Sequence, residues 1–504
     1  MSEHRNNELT QAIKKVIQTN QSNIREDVLK NGNIVPPRTQ AVNSKYPAKT
    51  VEEDKEFKGD ILGAQISSWK EMMPNILKKF SKVPDKRRLK SVRHAMATIL
   101  MFGLLIFIFR FPSRKAINNK LAEPVFLDNM RNIFPEIETL PHSDTVGRVL
   151  KKVPPDYLEE ALVDLVKNLI RKKKFDALKV FGHLPISIDG VQKIIRNGQL
   201  QDENWLERKV SNNKGNIQQY VYVLEANITL PNGLSIPLLS EFLYYDGNAN
   251  PTKQDCELTA FKRISDKLKK HFKRQQIILC LDKLYPNETT MDKIQKSGWE
   301  YIMVLPSNKF KHLNSALNDA KKSRICLPNQ VSYRGRKQEW YWRNGEQFNK
   351  HRKVNVVACF ERWEEVNTLT GEIEPKFSEH RWVTSINVQL YILHELCNLC
   401  ARKRWGIEDS NNTEKNRGYN YKHAFSLDWN AMICFHILMR LAHAINVLSE
   451  YTKKLAKYIK TYGSKFILDL IKDVLWAPWF DRDWYSKTLH KKVTFILTGI
   501  TPSI

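Results

Sequence analysis

Three acidic residues stand where a fold could bring them together. Asp189 ends the run Pro185-Ile186-Ser187-Ile188, and Asp282 ends Ile277-Ile278-Leu279-Cys280-Leu281. Both runs are apolar and short enough for buried strands. Glu408 closes Arg404-Trp405-Gly406-Ile407-Glu408. At about 3.6 residues per turn, Arg404 lies one turn before it and Lys415 two turns after it, on one helix face. A carboxylate flanked by two cations is held ionised. Carboxylates are ligands for hard ions such as Mg²⁺ and Mn²⁺. Two such ions about 3.5–4 Å apart activate an attacking oxygen and stabilise a leaving one in phosphodiester displacement. The expected cofactor is therefore a pair of Mg²⁺ (or Mn²⁺) ions on Asp189, Asp282 and Glu408. Strand carboxyl ends are also where open α/β sheets place ligands.

The composition points the same way. With 81 Lys+Arg against 54 Asp+Glu, the chain of 504 residues has a net charge of +27. A charge that large suits a polyanionic partner. The 7 Cys are an odd number, mostly within apolar runs, which fits a reducing compartment and not a disulfide scaffold. Cys397 and Cys400 have CxxC spacing without a second pair, and read as buried helix residues. The start of the chain is polar and carries no secretory signal. The longest apolar run, residues 95–109, falls short of the roughly 20 residues that cross a bilayer. It reads as a buried core helix, and no membrane partner is expected.

The elements that must position the acids follow in chain order. Residues 1–60 form a polar leader, partly disordered, with a helix around residues 8–18. Residues 61–175 read as helical: a segment at 67–80 with Trp69, Met72, Met73, Ile76 and Leu77 inward, the apolar run, and helices after Ser143, the expected N-cap, and after Pro155. A first strand covers 186–188. Runs 220–230 and 234–243 make a hairpin through Pro231-Asn232-Gly233. A basic amphipathic helix at 258–274 precedes a fourth strand at 277–281. The first and fourth strands can lie side by side. Residues 307–380 suggest a β-rich insertion of short strands with turns at Asn344-Gly345 and Thr370-Gly371. A fifth strand at 381–386 and a long helix from about residue 390, carrying Glu408, close the core at 450. Residues 451–504 form a basic helical tail. The expected fold is α/β of the α+β kind: a mixed five-stranded sheet with flanking helices in two parts, 180–306 and 381–450, around the insertion.

As a set, several stretches resemble the transposases of the insertion-sequence IS4 type. They are Ile188-Asp189-Gly190, Lys253-Gln254-Asp255-Cys256-Glu257, Asp282-Lys283-Leu284-Tyr285, and Arg404-Trp405-x-Ile407-Glu408 through Lys415-Asn416-x-Gly418-Tyr419. Residues 141–150 resemble the helical segment common in these proteins. The likeness covers about residues 85–450. It implies an RNase H-like sheet, a DDE triad of Asp189, Asp282 and Glu408, and DNA contacts from Arg404 and Lys415, the Arg and Lys of the Tyr-Arg-Glu-Lys signature. The long interval between Asp282 and Glu408 then reflects the insertion. Two positions depart from the pattern: Ala401 stands where the signature has Tyr, and Lys283 where Gly is usual.

The resemblance implies cut-and-paste transposition. One strand is hydrolysed at the element end, the freed 3′-OH attacks the other strand, and strand transfer follows. Double-stranded DNA is the partner, as terminal inverted repeats and as target, with a homodimer holding two ends. The expected location is the cytoplasm of a prokaryotic cell, at the nucleoid. Lys262, Lys269, Lys273 and Arg274 are expected on phosphates. Trp299, Trp340 and Trp342 are candidates to stack a flipped base, packing being the competing role for each. The alternative function is a DNA-binding protein from a decayed or domesticated element, binding without cutting; Ala401 and Lys283 favour it.

Overall fold

The computed structural model describes residues 46–477 except 136, 138, 198–203, 210–216, 245–255, 324–330 and 368–370, together with 493 and 497. Two compact units divide the chain, Met1–Phe57 and Lys58–Ile504. In the first, Thr50 and Glu53 form a capping box. The Glu53 amide donates to Thr50 Oγ1 (3.1 Å), and the Glu53 carboxylate accepts from the Lys49 amide (2.6 Å). Helix α1 (Val51–Phe80) starts there, so the expected boundary at residue 60 falls inside a helix. The helix expected near residues 8–18 lies outside the described residues.

The second unit begins all-helical, as its periodicity requires: α2 (Met96–Ile108), α3 (Arg114–Leu121), α4 (Pro124–Ile133), α5 (Ser143–Leu150) and α6 (Pro155–Arg171). The apolar run folds as α2, buried on all sides except at Ala97. Ser143 is not the cap of α5. His142 takes that place, its Nδ1 accepting from the Asp144 amide (3.2 Å).

Then come β1 (Leu184–Asn197), β2 (Leu206–Lys209), β3 (Ile217–Thr229), β4 (Ser235–Leu243), α7 (Glu257–His271), β5 (Ile277–Leu281), α8 (Glu288–Lys296), β6 (Glu300–Val304), α9 (Lys311–Lys322), β7 (Val331–Tyr333), β8 (Arg336–Asn349), β9 (Arg352–Val366) and β10 (Ile373–Thr384). They form one sheet in the order β2-β3-β1-β5-β6-β10-β9-β8-β7, with β4 on β3. The β3–β4 hairpin turns as expected, the Leu230 amide donating to the Leu234 carbonyl (2.8 Å) and Gly233 taking φ +93°. β1 and β5 are parallel neighbours, also as expected.

Several expectations need correction. Among the described residues the sheet has ten strands, not five, and its first strand is not 186–188 but the longer β1. The strand that completes the parallel set is β6, beside β5; residues 381–384 end β10, which runs antiparallel to β6. Residues 307–380 are not a set of short strands. They hold α9 and three strands of 12 residues or more that extend the same sheet. Asn344-Gly345 is no turn but a bulge inside β8, where the register with β9 shifts and the Gly345 amide donates to Asn355 Oδ1 (3.0 Å). Nor is there one long helix from residue 390. A 3₁₀ turn (Leu390–Ile392), a π-helix (His394–Cys400) and a second 3₁₀ turn (Ala401–Arg404) lead into α10 (Trp405–Asn416). Side-chain bonds to the sheet hold this stretch off α geometry. Asn398 and Gln338 exchange amide hydrogen bonds (2.8 and 3.0 Å), and Arg402 grips the buried Glu361.

Helix α11 (Trp429–Glu450) packs on α2, α6 and β4. It is long and apolar enough to cross a bilayer, yet 83% of its apolar window is buried inside the protein. Helices α12 (Lys453–Tyr462) and α13 (Ser464–Leu475) make the described part of the tail.

Candidate active site

Strand register settles the first pair of acids. In the parallel ladder Ser187 lies beside Cys280. Asp189 and Asp282 each stand two residues further on, where the parallel pairing of these neighbouring strands, roughly 4.8 Å apart, gives out: Asp189 within β1, which runs on to Asn197, and Asp282 just past β5. With a side-chain period of two, they share a face. Asp282 Oδ1 accepts from the Leu284 amide (2.8 Å), an Asx turn that fixes the carboxylate just past β5.

The third acid arrives on α10, which packs against β1, β3 and β4. Gly406 seats that helix closely on the hairpin: a Cβ there would lie 3.5 Å from Thr229 Cγ2 and 3.6 Å from Ser235 Cβ. One turn into the helix region, Arg404 Nη2 holds Glu408 Oε1 at 2.8 Å. The other guanidinium nitrogen, Nη1, is buried without a hydrogen-bond partner. Burial pushes the Asp189 carboxyl up to about 7; Glu408, Glu257 and Asp282 add to the push and Arg404 opposes it. The three expected acids therefore share one electrostatic neighbourhood.

A fourth carboxylate, Glu257, stands among them, at the first residue of α7. It was quoted in the sequence only as part of a matching stretch. Tyr285 OH donates to its Oε1 (2.6 Å) and Tyr222 OH to its Oε2 (3.2 Å).

Other expected residues lie elsewhere. Lys415 makes no ion pair with Glu408. Lys269 is spent on the Ser297 carbonyl (2.6 Å), beside the Trp299 ring. Lys273 and Arg274 follow the far end of α7, roughly 20 Å along the helix from Glu257. Lys262 is exposed on α7. Trp299 and Trp340 are 3% and 5% exposed, so neither offers a face to a base. Trp342 packs against the core cluster that contains Trp340. All three indoles serve packing. Lys283, the residue at the usual Gly position, is exposed.

What the sequence did not single out is a groove linked to the acids through Arg404, which lines it and holds Glu408. It encloses about 970 Å³ between the β7–β8 turn, β10 and the Ala401–Arg404 turn. Arg334, Arg336, Arg402, Lys403 and Arg404 line it. Arg336 and Arg402 are tied to Glu361. Burial, and then the nearby Arg334, push the Lys403 ammonium down. Trp405, 62% exposed, stands at the rim. Its position directly after Arg404 was the available signal.

Behind the acids lies a buried charge network. Arg440 of α11 reaches Glu225 of β3 (3.3 Å) and Glu414 of α10 (2.9 Å). His443 holds Glu414 at 2.6 Å, and Tyr421 OH donates to Glu225 (2.9 Å). Glu225 is paired across the sheet with Asp189. Arg440 thus joins the strand beside Asp189 to the helix that carries Glu408.

The donor set suits hard divalent ions: carboxylate oxygens at the edge of a sheet, offset by one guanidinium. Among the described residues, no three acid, imidazole or thiol groups already converge at ligand distance. Glu408 is drawn to Arg404 and Glu257 to its two tyrosines.

Acids on adjacent parallel strands, near a basic groove, have the chemistry to work on phosphodiesters. The family comparisons agree. Residues 246–447 match the family model described as the transposase DDE domain, and residues 77–166 match the one described as DDE_Tnp_1-associated. The chain carries a transposase DDE domain behind its associated helical segment. Asp282, Glu257 and Glu408 fall inside the matched domain; Asp189 falls between the two segments. No curated protein matches the chain.

Proposed function

We propose that this chain is a transposase of the IS4 type, with an RNase H-like sheet. It cuts DNA at the terminal inverted repeats of an insertion sequence and joins the freed 3′ ends to target DNA. The observation that carries the reading is the register that sets Asp189 beside Asp282, with Glu408 facing them from α10. Asp189, Asp282 and Glu408 would hold two Mg²⁺ or Mn²⁺ ions. Such ions, when bound, activate the attacking oxygen and stabilise the leaving oxygen at the scissile phosphate.

The chain's own groups do the rest. Arg404 restrains Glu408 and carries a spare Nη1–H for a phosphate. Lys403 and Arg334 add positive charge in the groove. Trp405 offers a stacking face where Trp299 and Trp340 do not. The Asx turn at Asp282 keeps that carboxylate from rotating away. A dimer holding two element ends completes the cut-and-paste reaction.

The test is a gel of linear element ends incubated with protein, with and without Mg²⁺. Nicked and joined products are expected only with the metal. Glu408→Gln is expected to lower cutting by roughly two orders of magnitude or more; a variant that cuts like the parent removes Glu408 from the triad. DNA binding with no cutting by the parent protein would instead favour the decayed-element reading.

A further inference from the structure

Among the described residues the carboxylate of Glu257 has no cation partner, and only the two phenols of Tyr222 and Tyr285 satisfy it. A partly buried carboxylate held by neutral donors alone remains an incompletely compensated charge. It is also close enough to Asp282, and Asp189 to it, for the three acids to repel one another. Room for this approach is built into the backbone. At Gly190, directly after Asp189, a Cβ would fall 2.6 Å from Glu257 Oε2 and 2.4 Å from Tyr222 OH. Any other residue there would force the Tyr222 or Glu257 side chain to shift.

The two tyrosines tie Glu257 to both halves of the pair. Tyr222 sits on β3, opposite Gln192 of the strand that bears Asp189. Tyr285 lies three residues after Asp282, its amide donating to the Asp282 carbonyl (3.4 Å). Each phenol uses one lone pair of one carboxylate oxygen, which leaves each oxygen able to take a metal. Phenol donors that orient a ligand carboxylate are the usual outer support of such sites.

Resting on the reading of Asp189, Asp282 and Glu408 as ion ligands, we propose that Glu257 is a fourth carboxylate ligand of the divalent-ion site, aimed by Tyr222 and Tyr285. The site is then a four-acid site, and the start of α7 belongs to it.

The experiment measures Mn²⁺ binding to the full chain without DNA, by the electron paramagnetic resonance signal of free Mn²⁺. Glu257→Gln keeps the shape and a hydrogen-bond acceptor, and is expected to weaken Mn²⁺ binding roughly tenfold or more. Glu257→Asp, which keeps the charge, is expected to bind Mn²⁺ better than Glu257→Gln. Thermal midpoints taken without metal check that the folds are intact. Equal Mn²⁺ affinity for parent, Glu257→Gln and Glu257→Asp overturns the fourth ligand. Asp189→Asn is the control on the underlying reading. If it weakens Mn²⁺ binding while Glu257→Gln does not, only Glu257 is excluded. If Asp189→Asn is also silent, the ion site itself is misplaced.

Discussion

Arg404 holds Glu408 with one nitrogen and keeps the other buried and unpaired, in a side chain that lines the groove. A planar guanidinium can serve a carboxylate and a phosphate at once, which an ammonium cannot. Arg404→Lys is therefore expected to weaken DNA binding about tenfold, even with its charge kept. An unchanged affinity in a titration of labelled element ends would show that Nη1 has no phosphate to hold. Arg334 and Lys403 act differently, as point charges in the groove. Each phosphate contact contributes about one unit to the slope of log affinity against log salt. Arg334→Ala and Lys403→Ala are each expected to lower that slope by about one, and to weaken all sequences alike. A slope that stays at the parent value places the DNA elsewhere. The residue types alone singled out Asp189, Asp282, Glu408 and Arg404 as candidates, because apolar strand runs and a four-residue spacing have direct geometric meaning. They did not separate Trp299 and Trp340, sealed in the core, from Trp405 at the rim. An indole in an apolar stretch reads the same from sequence whichever face of the sheet it meets.

At the level of elements, the geometry of the proposed site depends on one buried cation. Arg440 lies between Glu225 of β3 and Glu414 of α10, both fully buried. Removing it leaves two buried carboxylates against two histidines and the ammonium of Lys193. Arg440→Met, similar in volume, is expected to cost about 3–5 kcal/mol, the range for breaking a buried pair from one side. Denaturant unfolding measures it; a loss below about 1 kcal/mol would mean that the histidines and Lys193 compensate both acids. The parallel pairing of β1 with β5 and the β3–β4 hairpin were legible because a period of two and a Pro-Asn-Gly turn are local signals. β6 was missed: five residues, Glu300–Val304, between a helix and a loop give too little pattern. The break before α10 was missed for another reason. Residues 390–404 have helical periodicity, and what bends them is tertiary, the hold of Gln338 and Glu361 on Asn398 and Arg402. Glu257 was visible as a letter, but its proximity to Asp189 depends on Gly190 and two tyrosines from separate elements.

For the molecule as a whole, the buried network sets the response to acid. Burial raises the Glu225 and Glu414 carboxyls, but Arg440 and the histidines outweigh it, and both end below the ordinary glutamate value of 4.5. Glu361 also ends below it: burial again raises it, and His380, Arg402, Gln338 and Arg336 overcome that. The unfolded chain therefore binds protons that the folded chain refuses. Their stabilisation is complete above about pH 4.5 and is lost as pH falls toward the folded values. His436 and His443 add an earlier step. Burial pushes both below 6.5, with Glu225 and Glu414 pulling the other way, so protonation in the unfolded chain begins to cost stability below that pH. Between about pH 6.5 and 4.5 the loss from the histidines is opposed by Asp189, whose raised carboxyl takes up its proton in the folded chain first, so the thermal midpoint is expected to fall steeply only below about pH 4.5. A competing source exists: a chain at +27 becomes more positive as carboxylates titrate, and self-repulsion also destabilises it. Salt separates the two. At about 0.5 M KCl the screening length is under 5 Å, which quenches repulsion across the surface and leaves buried pairs intact. The steep loss is expected to persist at that salt. A midpoint that becomes flat in acid once salt is added would assign the effect to surface charge and not to Glu225, Glu414 and Glu361.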